Sequence, residues 1–402
     1  MSGSFVRTML FMVTAAALFC GADVAQAQEQ PRPPETQAEE GAPLTLEVIY
    51  TGDVIGVASG GLERGVRYLD NLFVTADGDL ERLAGWDGAV FQVDVLNNLG
   101  GRPNDLAGSL QGIDNIEVPQ PRLKLYEAWI EQQFGDAGSL RVGLYDLNSE
   151  FYVNESAALL ISPSFGIGSE LAATGTNGPS IFPSTALAAR LRWNFDDLYA
   201  QAVVINAKAG TLGDAGGIDL SGREGVLFVG EGGWAEGNGK IAAGAWQYSK
   251  KQPEIVPPGL TETGRDVPSR GVYAVLEHDL LGTPGEPGNM TGFLRIGFSD
   301  GKTTPFSAGW QAGVLVTHVL ESRPASAFSL GAASAILSEH YRVGAPSLLN
   351  AETAIEATYS DEIVPGVSVQ PDVQYIVNTG ADRSIEDALV LGLRLIVAWS
   401  SD

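Results

Sequence analysis

One pattern recurs from Thr45 to the end of the chain and limits what it can become. Apolar residues alternate singly with polar or small ones, over runs of about nine to twelve residues that end in turn-forming clusters. In the last run Leu389, Leu391, Leu393, Leu395, Val397 and Trp399 share one parity, and Gly392 and Arg394 the other. In the third, Phe91, Val93 and Val95 alternate with Gln92 and Asp94. In the eleventh, Leu294, Ile296 and Phe298 alternate with Phe293, Arg295 and Gly297. Successive side chains on a strand leave opposite faces, so each run makes a strand with one greasy and one wet side. Runs begin near Thr45, Gly65, Gly85, Leu123, Ser139, Thr185, Leu198, Gly225, Gly239, Gly271, Thr291, Phe306, Ala327, Ala351, Val367 and Asp387, sixteen in all.

The connections alternate in length. Gly135-Asp-Ala-Gly138, Asn194-Phe-Asp-Asp197 and the turn at Pro365-Gly366 are short, whereas Leu99 to Arg122, Asn148 to Ser184 and Ser249 to Arg270 are long. Short turns at one end and long loops at the other, on an even number of strands, is the layout of an outer-membrane barrel with both termini periplasmic. Lipid offers the backbone no hydrogen-bond partner, so such a sheet must close on itself. A soluble sandwich or propeller would need a second covering sheet or a blade-like repeat, and no such repeat is present. The expected fold is all-β: a sixteen-stranded antiparallel transmembrane β-barrel over residues 45–402, with an infolded constriction loop. At that strand number side chains do not fill the lumen, and an aqueous channel remains.

The N-terminal part reads differently. Arg7, the apolar run from Met9 to Phe19 and Ala25-Gln-Ala27 have the order of a secretory signal peptide over residues 1–27. Residues 28–44 are rich in Pro and Glu without apolar periodicity, which suits a flexible periplasmic segment. Cys20 is the only cysteine, so cleavage after Ala27 leaves a chain with no disulfide and no thiolate ligand. A net charge of −25 argues against a nucleic-acid partner, which would need a basic face. The 50 glycines among 402 residues favour turns and strands, and no later apolar run is long enough for a membrane-spanning helix.

Three separated stretches resemble a known family. Gly143-Leu-Tyr-Asp-Leu-Asn-Ser-Glu-Phe-Tyr152 with Ser164-Phe-Gly166 is similar to the signature of the carbohydrate-selective porins typified by OprB. Tyr126-Glu-Ala-Trp-Ile-Glu-Gln132 resembles the strand that precedes it, and Glu352-Thr-Ala-Ile-Glu356 with Gln370-Pro-Asp-Val-Gln-Tyr-Ile-Val-Asn378 resembles the C-terminal strands. The resemblance covers essentially everything after Thr45. It implies an outer-membrane porin that passes glucose and other small sugars by facilitated diffusion, without a cofactor. Its expected partners are carbohydrate solutes, outer-membrane lipid and the barrel-assembly machinery, with a homo-oligomer left open. Such barrels usually end on an aromatic residue, whereas here Trp399 is followed by Ser-Ser-Asp402.

Sugar recognition uses apolar faces against C–H surfaces and planar bidentate groups for paired hydroxyls, which Arg and carboxylates supply. The parity of the fourth run points Glu127, Trp129 and Glu131 inward together, and that of the runs flanking the long loop points Arg141, Arg190 and Arg192 inward. The loop itself adds Asp146, Asn148, Glu150, Phe151 and Phe165. Two roles are open for this set: contacts with sugar at the narrowest section, or ion pairs that latch loop to wall. Ion preference is likewise open, because an Arg-rich neck opposes an acidic whole.

Three other readings compete. One is a general diffusion pore without a sugar site, and another is a plugged barrel with an envelope role. The third is a hydrolase, suggested by Gly297-Phe-Ser-Asp-Gly301, but the Lys-Thr-Thr-Pro-Phe that follows predicts another turn where that motif needs a helix. His278, His318 and His340 fall in unrelated runs, and no metal-ligand spacing occurs.

Overall fold

The computed structural model describes residues 42–257, 265–283 and 285–401. The expected signal peptide and residues 28–41 lie outside the described residues. The alternating runs form β1 (Leu44–Gly61), β2 (Gly65–Asp79), β3 (Ala89–Gly100), β4 (Arg122–Phe134), β5 (Gly138–Tyr145), β6 (Ala186–Phe195), β7 (Leu198–Asn206) and β8 (Val226–Glu236). They continue as β9 (Gly239–Tyr248), β10 (Arg270–Leu281), β11 (Asn289–Ser299), β12 (Phe306–Thr317), β13 (Ala327–Leu337), β14 (Ala351–Val364), β15 (Val367–Val377) and β16 (Glu386–Ser400). Each pairs antiparallel with its chain neighbours, and β16 returns to β1, so the sheet has no free edge.

Most strands begin within two residues of the expected positions, and one start differs more. β3 begins at Ala89 rather than Gly85, because residues Leu80–Ala84 form a short helix. The Asp79 carboxylate caps it by accepting the amides of Glu81 and Arg82, and Gly85 ends it in the left-handed region at φ 72°.

Parity decides burial. Leu123, Ile130, Val142, Leu191, Phe298, Leu393 and Leu395 face outward and are exposed, while their strand neighbours Lys124, Glu131, Arg141, Arg190 and Arg394 face inward and are buried. An apolar exterior is stable only against hydrocarbon. A bulge in β4 breaks the strict alternation: Asp94 of β3 pairs with Glu127 and Val95 with Leu125, so Tyr126 and Glu127 both turn inward.

The closing seam is pinned from within. Asp53 and Arg394 lie opposite each other on β1 and β16, and the guanidinium grips the carboxylate through contacts of 2.9, 3.1 and 2.7 Å. Pairing runs down to Glu47 opposite Ser400, and the Ser401 amide still donates to the Leu46 carbonyl at 2.8 Å. The residues after Trp399 therefore prolong the seam. Arg394→Leu leaves Asp53 buried without its partner, a change that costs about 3 kcal/mol. The variant barrel should unfold at lower urea in a gel-mobility assay of folded against unfolded protein.

The long connections sit at one end of the barrel, and two of them, residues 101–121 and 146–185, turn back into the lumen.

Candidate functional site

The root of the 146–185 loop is fixed by charges that the register brings together. Glu131, Arg141 and Arg190 are direct cross-strand partners on β4, β5 and β6. Arg141 donates through Nε to Glu131 at 2.7 Å, and Arg190 reaches the same carboxylate at 3.1 Å. Glu150, on the loop, receives Arg190 through Nε at 2.7 Å and Nη2 at 2.9 Å, and the Tyr145 hydroxyl at 2.6 Å. The Arg141 guanidinium lies 3.7 Å over the Trp129 ring. Burial alone would raise the pKa of Glu150, but Arg190 and then Arg141 outweigh it and hold the carboxyl below its ordinary value. The four charged side chains are between 1% and 8% exposed, so the square they form is a closed unit between wall and loop.

Beyond Glu150 the loop crosses to the far wall, where strand carboxylates receive its backbone amides. Glu231 of β8 accepts the Tyr152 amide at 2.9 Å. Glu277 of β10 accepts those of Glu155 and Ser156 at 2.9 and 2.6 Å. Glu356 of β14 accepts the amides of Ile161 and Ser162. Arg295 of β11 donates to the Tyr152 and Phe165 carbonyls and lies over the Tyr152 ring, which stacks on Tyr273 at 4.0 Å. The Glu170 carboxyl, raised by burial against the opposing Tyr152 hydrogen bond, occupies a slot where Gly297 and Gly309 carry no Cβ. Charged groups meeting backbone dipoles hold an irregular segment without leaving its amides bare.

The 101–121 loop is held in the same way. Glu352 of β14 accepts the amides of Leu110 and Gln111 and the Ser109 hydroxyl, while Arg394 donates to Asn115 at 2.7 Å. The two loops touch where the Asn115 amide donates to the Ile161 carbonyl at 2.9 Å.

Between the loops and the β2–β4 wall lies a cavity of about 350 Å³. Its polar lining includes the carboxyls of Asp146 and Glu155 and the amides of Gln111, Asn115, Asn148 and Asn154. Phe73, Tyr126, Phe165 and Phe182 supply aromatic surface, and no Arg or Lys belongs to the lining among the described residues. Asp146 caps the turn Leu147–Ser149 by accepting the Asn148 amide at 2.8 Å, and it also accepts the Tyr126 hydroxyl. Burial raises its carboxyl to about 6, against the lowering effect of those two hydrogen bonds.

The residues singled out from the sequence thus fall into groups. Glu131, Arg141, Glu150 and Arg190 meet over Trp129, away from the cavity. Glu127 accepts the Asp146 amide at 2.7 Å and stands behind the lining. Asp146, Asn148 and Phe165 line the cavity, while Phe151 is fully buried. Arg192 is separate: it lies 4.6 Å over the Tyr199 ring and donates to Asn194 and Gln201. Sequence reasoning missed Glu231, Glu277, Glu352, Glu356 and Arg295. A usable signal was the four-residue spacing of Glu352 and Glu356, which places two carboxylates on one strand face.

Ser299 ends β11 and donates its hydroxyl to the Phe306 carbonyl at 2.6 Å, with a turn and then β12 after it. That is no strand-to-helix elbow. No group of three His, Cys, Asp or Glu side chains suited to a metal occurs among the described residues.

Comparison with known proteins agrees with this architecture. The chain is 24% identical to Porin B of Pseudomonas aeruginosa over 409 residues, covering 89% of this chain and 87% of that protein. A high-pH structure of Pseudomonas putida OprB superposes with a TM-score of 0.78 at 19% identity, over 89% of this chain and 94% of that one. The outer-membrane channel DcaP of Acinetobacter baumannii gives a TM-score of 0.55 at 10% identity, over 89% and 97%. Those two structural likenesses concern the fold. Residues 63–398 match the model of the carbohydrate-selective porin, OprB family. The chain belongs to that family and is an outer-membrane carbohydrate porin of a Gram-negative bacterium.

Proposed function

We propose that sugars cross this barrel through the cavity between the two infolded loops, and that the arginine–glutamate square sets its width. The observation that carries this reading is the lining. Amide and carboxyl groups that can pair with hydroxyls share it with aromatic and aliphatic faces, and no described Arg or Lys belongs to it, Arg394 and Arg295 standing one layer behind Asn115 and Phe165. Asp146, Asn148 and Phe165 are the contact residues of the passage, with Asn115, Asn154 and Phe182 beside them. Glu127 positions Asp146 by holding its amide, and Trp129 supports Arg141. Arg192 lies lower on β6 and meets solute only after the narrow section.

The solute class follows from this chemistry. A neutral sugar satisfies the lining without burying an unmatched charge, whereas a sugar acid or sugar phosphate brings an anion to two carboxyls. Passage is passive, with no bond made or broken. In planar bilayers glucose should reduce the ion current in a saturable way. Asn148→Ala with Phe165→Ala should weaken that block about tenfold, as expected for losing one good polar contact and one stacking face. An ion current that ignores sugar in the parent protein would remove the cavity from the account.

A further inference from the structure

The outer wall between β7 and β11 carries a second feature, unrelated to the passage. Ala202, Gly230, Ala245 and Val272 are register neighbours on β7, β8, β9 and β10, all with outward parity. The next outward row, Ala200, Gly232, Ala243 and Ala274, carries only Ala and Gly. Bulk returns on either side: Val204 and Phe228 above, and Leu198, Trp234, Ile241 and Leu276 below. On β7 to β9 both rows are Ala and Gly alone, so the panel is sunk between its bulkier neighbours.

The depression opens a groove of about 920 Å³ whose wall on the β11 side is Phe298. Its upper end reaches Arg270 and Lys302, at the end of the barrel that bears the long loops and therefore at the height of the outer leaflet. Both are exposed, and neither forms an ion pair with a carboxylate among the described residues. Asp300, also at this end, spends its oxygens on the amides of Arg270, Lys302 and Thr303 and on the Thr303 hydroxyl. In a chain of net charge −25, two cations that outnumber Asp300 at the mouth of an apolar trough, with no ion pair among the described residues, are matched to one kind of neighbour.

We propose that this groove binds a phosphorylated, acylated glycolipid of the outer leaflet, with an acyl chain laid over Gly230 and a phosphate between Arg270 and Lys302. The acyl chain fills a recess that ordinary annular lipid would have to bend to reach, and the phosphate neutralises cations that form no ion pair among the described residues. The site lies on the outside of the wall, so its occupancy is independent of sugar passage.

A Cβ added at Gly230 meets no protein atom within 4 Å, so Gly230→Leu fills the trough without disturbing the barrel. The test is native mass spectrometry, with thermal unfolding, of the mature protein in detergent. The probes are bis-phosphorylated lipid A and the same lipid with its phosphates removed. The parent should retain one bis-phosphorylated lipid and unfold about 3 °C higher with it. Gly230→Leu should lose both effects at unchanged conductance, and Arg270→Gln with Lys302→Gln should weaken retention about tenfold. Equal retention by parent and Gly230→Leu overturns the proposal, as does equal retention of the two lipids. A lipid-independent dimer abolished by Gly230→Leu would also overturn it, since the occupant would then be a second copy of the chain.

Discussion

Replacing both arginines of the latch, Arg141→Ala with Arg190→Ala, is expected to raise single-channel conductance about twofold or more and to abolish block by sugar. Glu131 and Glu150 would then face each other, buried and uncompensated, at a cost of about 3–5 kcal/mol for removing the partners of such a pair. The cheapest relief is for Glu150 to leave the wall, taking the loop root with it and widening the passage. The far-wall glutamates still hold the loop's crossing segment, so the barrel itself should remain folded. Arg190→Lys separates charge from geometry. It keeps a cation but cannot bridge both carboxylates in a planar fork, so an intermediate conductance is expected. The same logic gives a pH dependence. Glu150 is held below the ordinary carboxylate range, so its contribution is fully present above that range and is lost only as pH falls through the lowered value. The rise in conductance from a freed loop root should therefore come only in strong acid, separate from any change that Asp146 brings in mildly acidic solution. Unchanged conductance in the double variant would mean that the far wall alone sets the loop's position.

The second large effect concerns charge. With two carboxyls and no Arg or Lys on the lining among the described residues, the parent channel should favour cations, and Asp146→Asn with Glu155→Gln should bring the permeability ratio close to one. Burial holds the Asp146 carboxyl up at about 6, so it is mostly charged at pH 7 and mostly neutral at pH 5. Cation preference should fall between those two pH values in the parent and stay flat in Asp146→Asn. Reversal potentials in a salt gradient measure both. Anion preference in the parent would place the arginines in the field of the passage and refute the assignment of the lining.

How much of this was legible in the sequence follows from what each pattern encodes. Strand number, parity and the closing pair were readable because lipid forces them: the outward band must be largely apolar and every strand must find two neighbours. Leu393 and Arg394 announce their faces by chemistry alone. The latch was half readable. Parity put Arg141, Arg190 and Glu131 inward, but whether they point at solute or at each other depends on where Glu150 lands, which the chain sets by its path through the lumen. The far-wall acceptors were hidden for a related reason. Glu231, Glu277 and Glu356 look like any inward carboxylate meeting water, and only the loop's course reveals that each meets backbone amides. The infolding of residues 101–121 was missed because the partners that hold it, Glu352 for Ser109 and Arg394 for Asn115, lie most of the barrel away in sequence. The bulge at Tyr126 was invisible to a strict two-residue period.

The central claim is that the passage recognises sugar rather than merely admitting small solutes. Liposome swelling with the purified porin compares glucose with a zwitterionic amino acid of similar size. The account predicts faster swelling with glucose, at a rate that saturates with concentration and loses its advantage in Asn148→Ala with Phe165→Ala. Equal, linearly rising rates for the two solutes would contradict it.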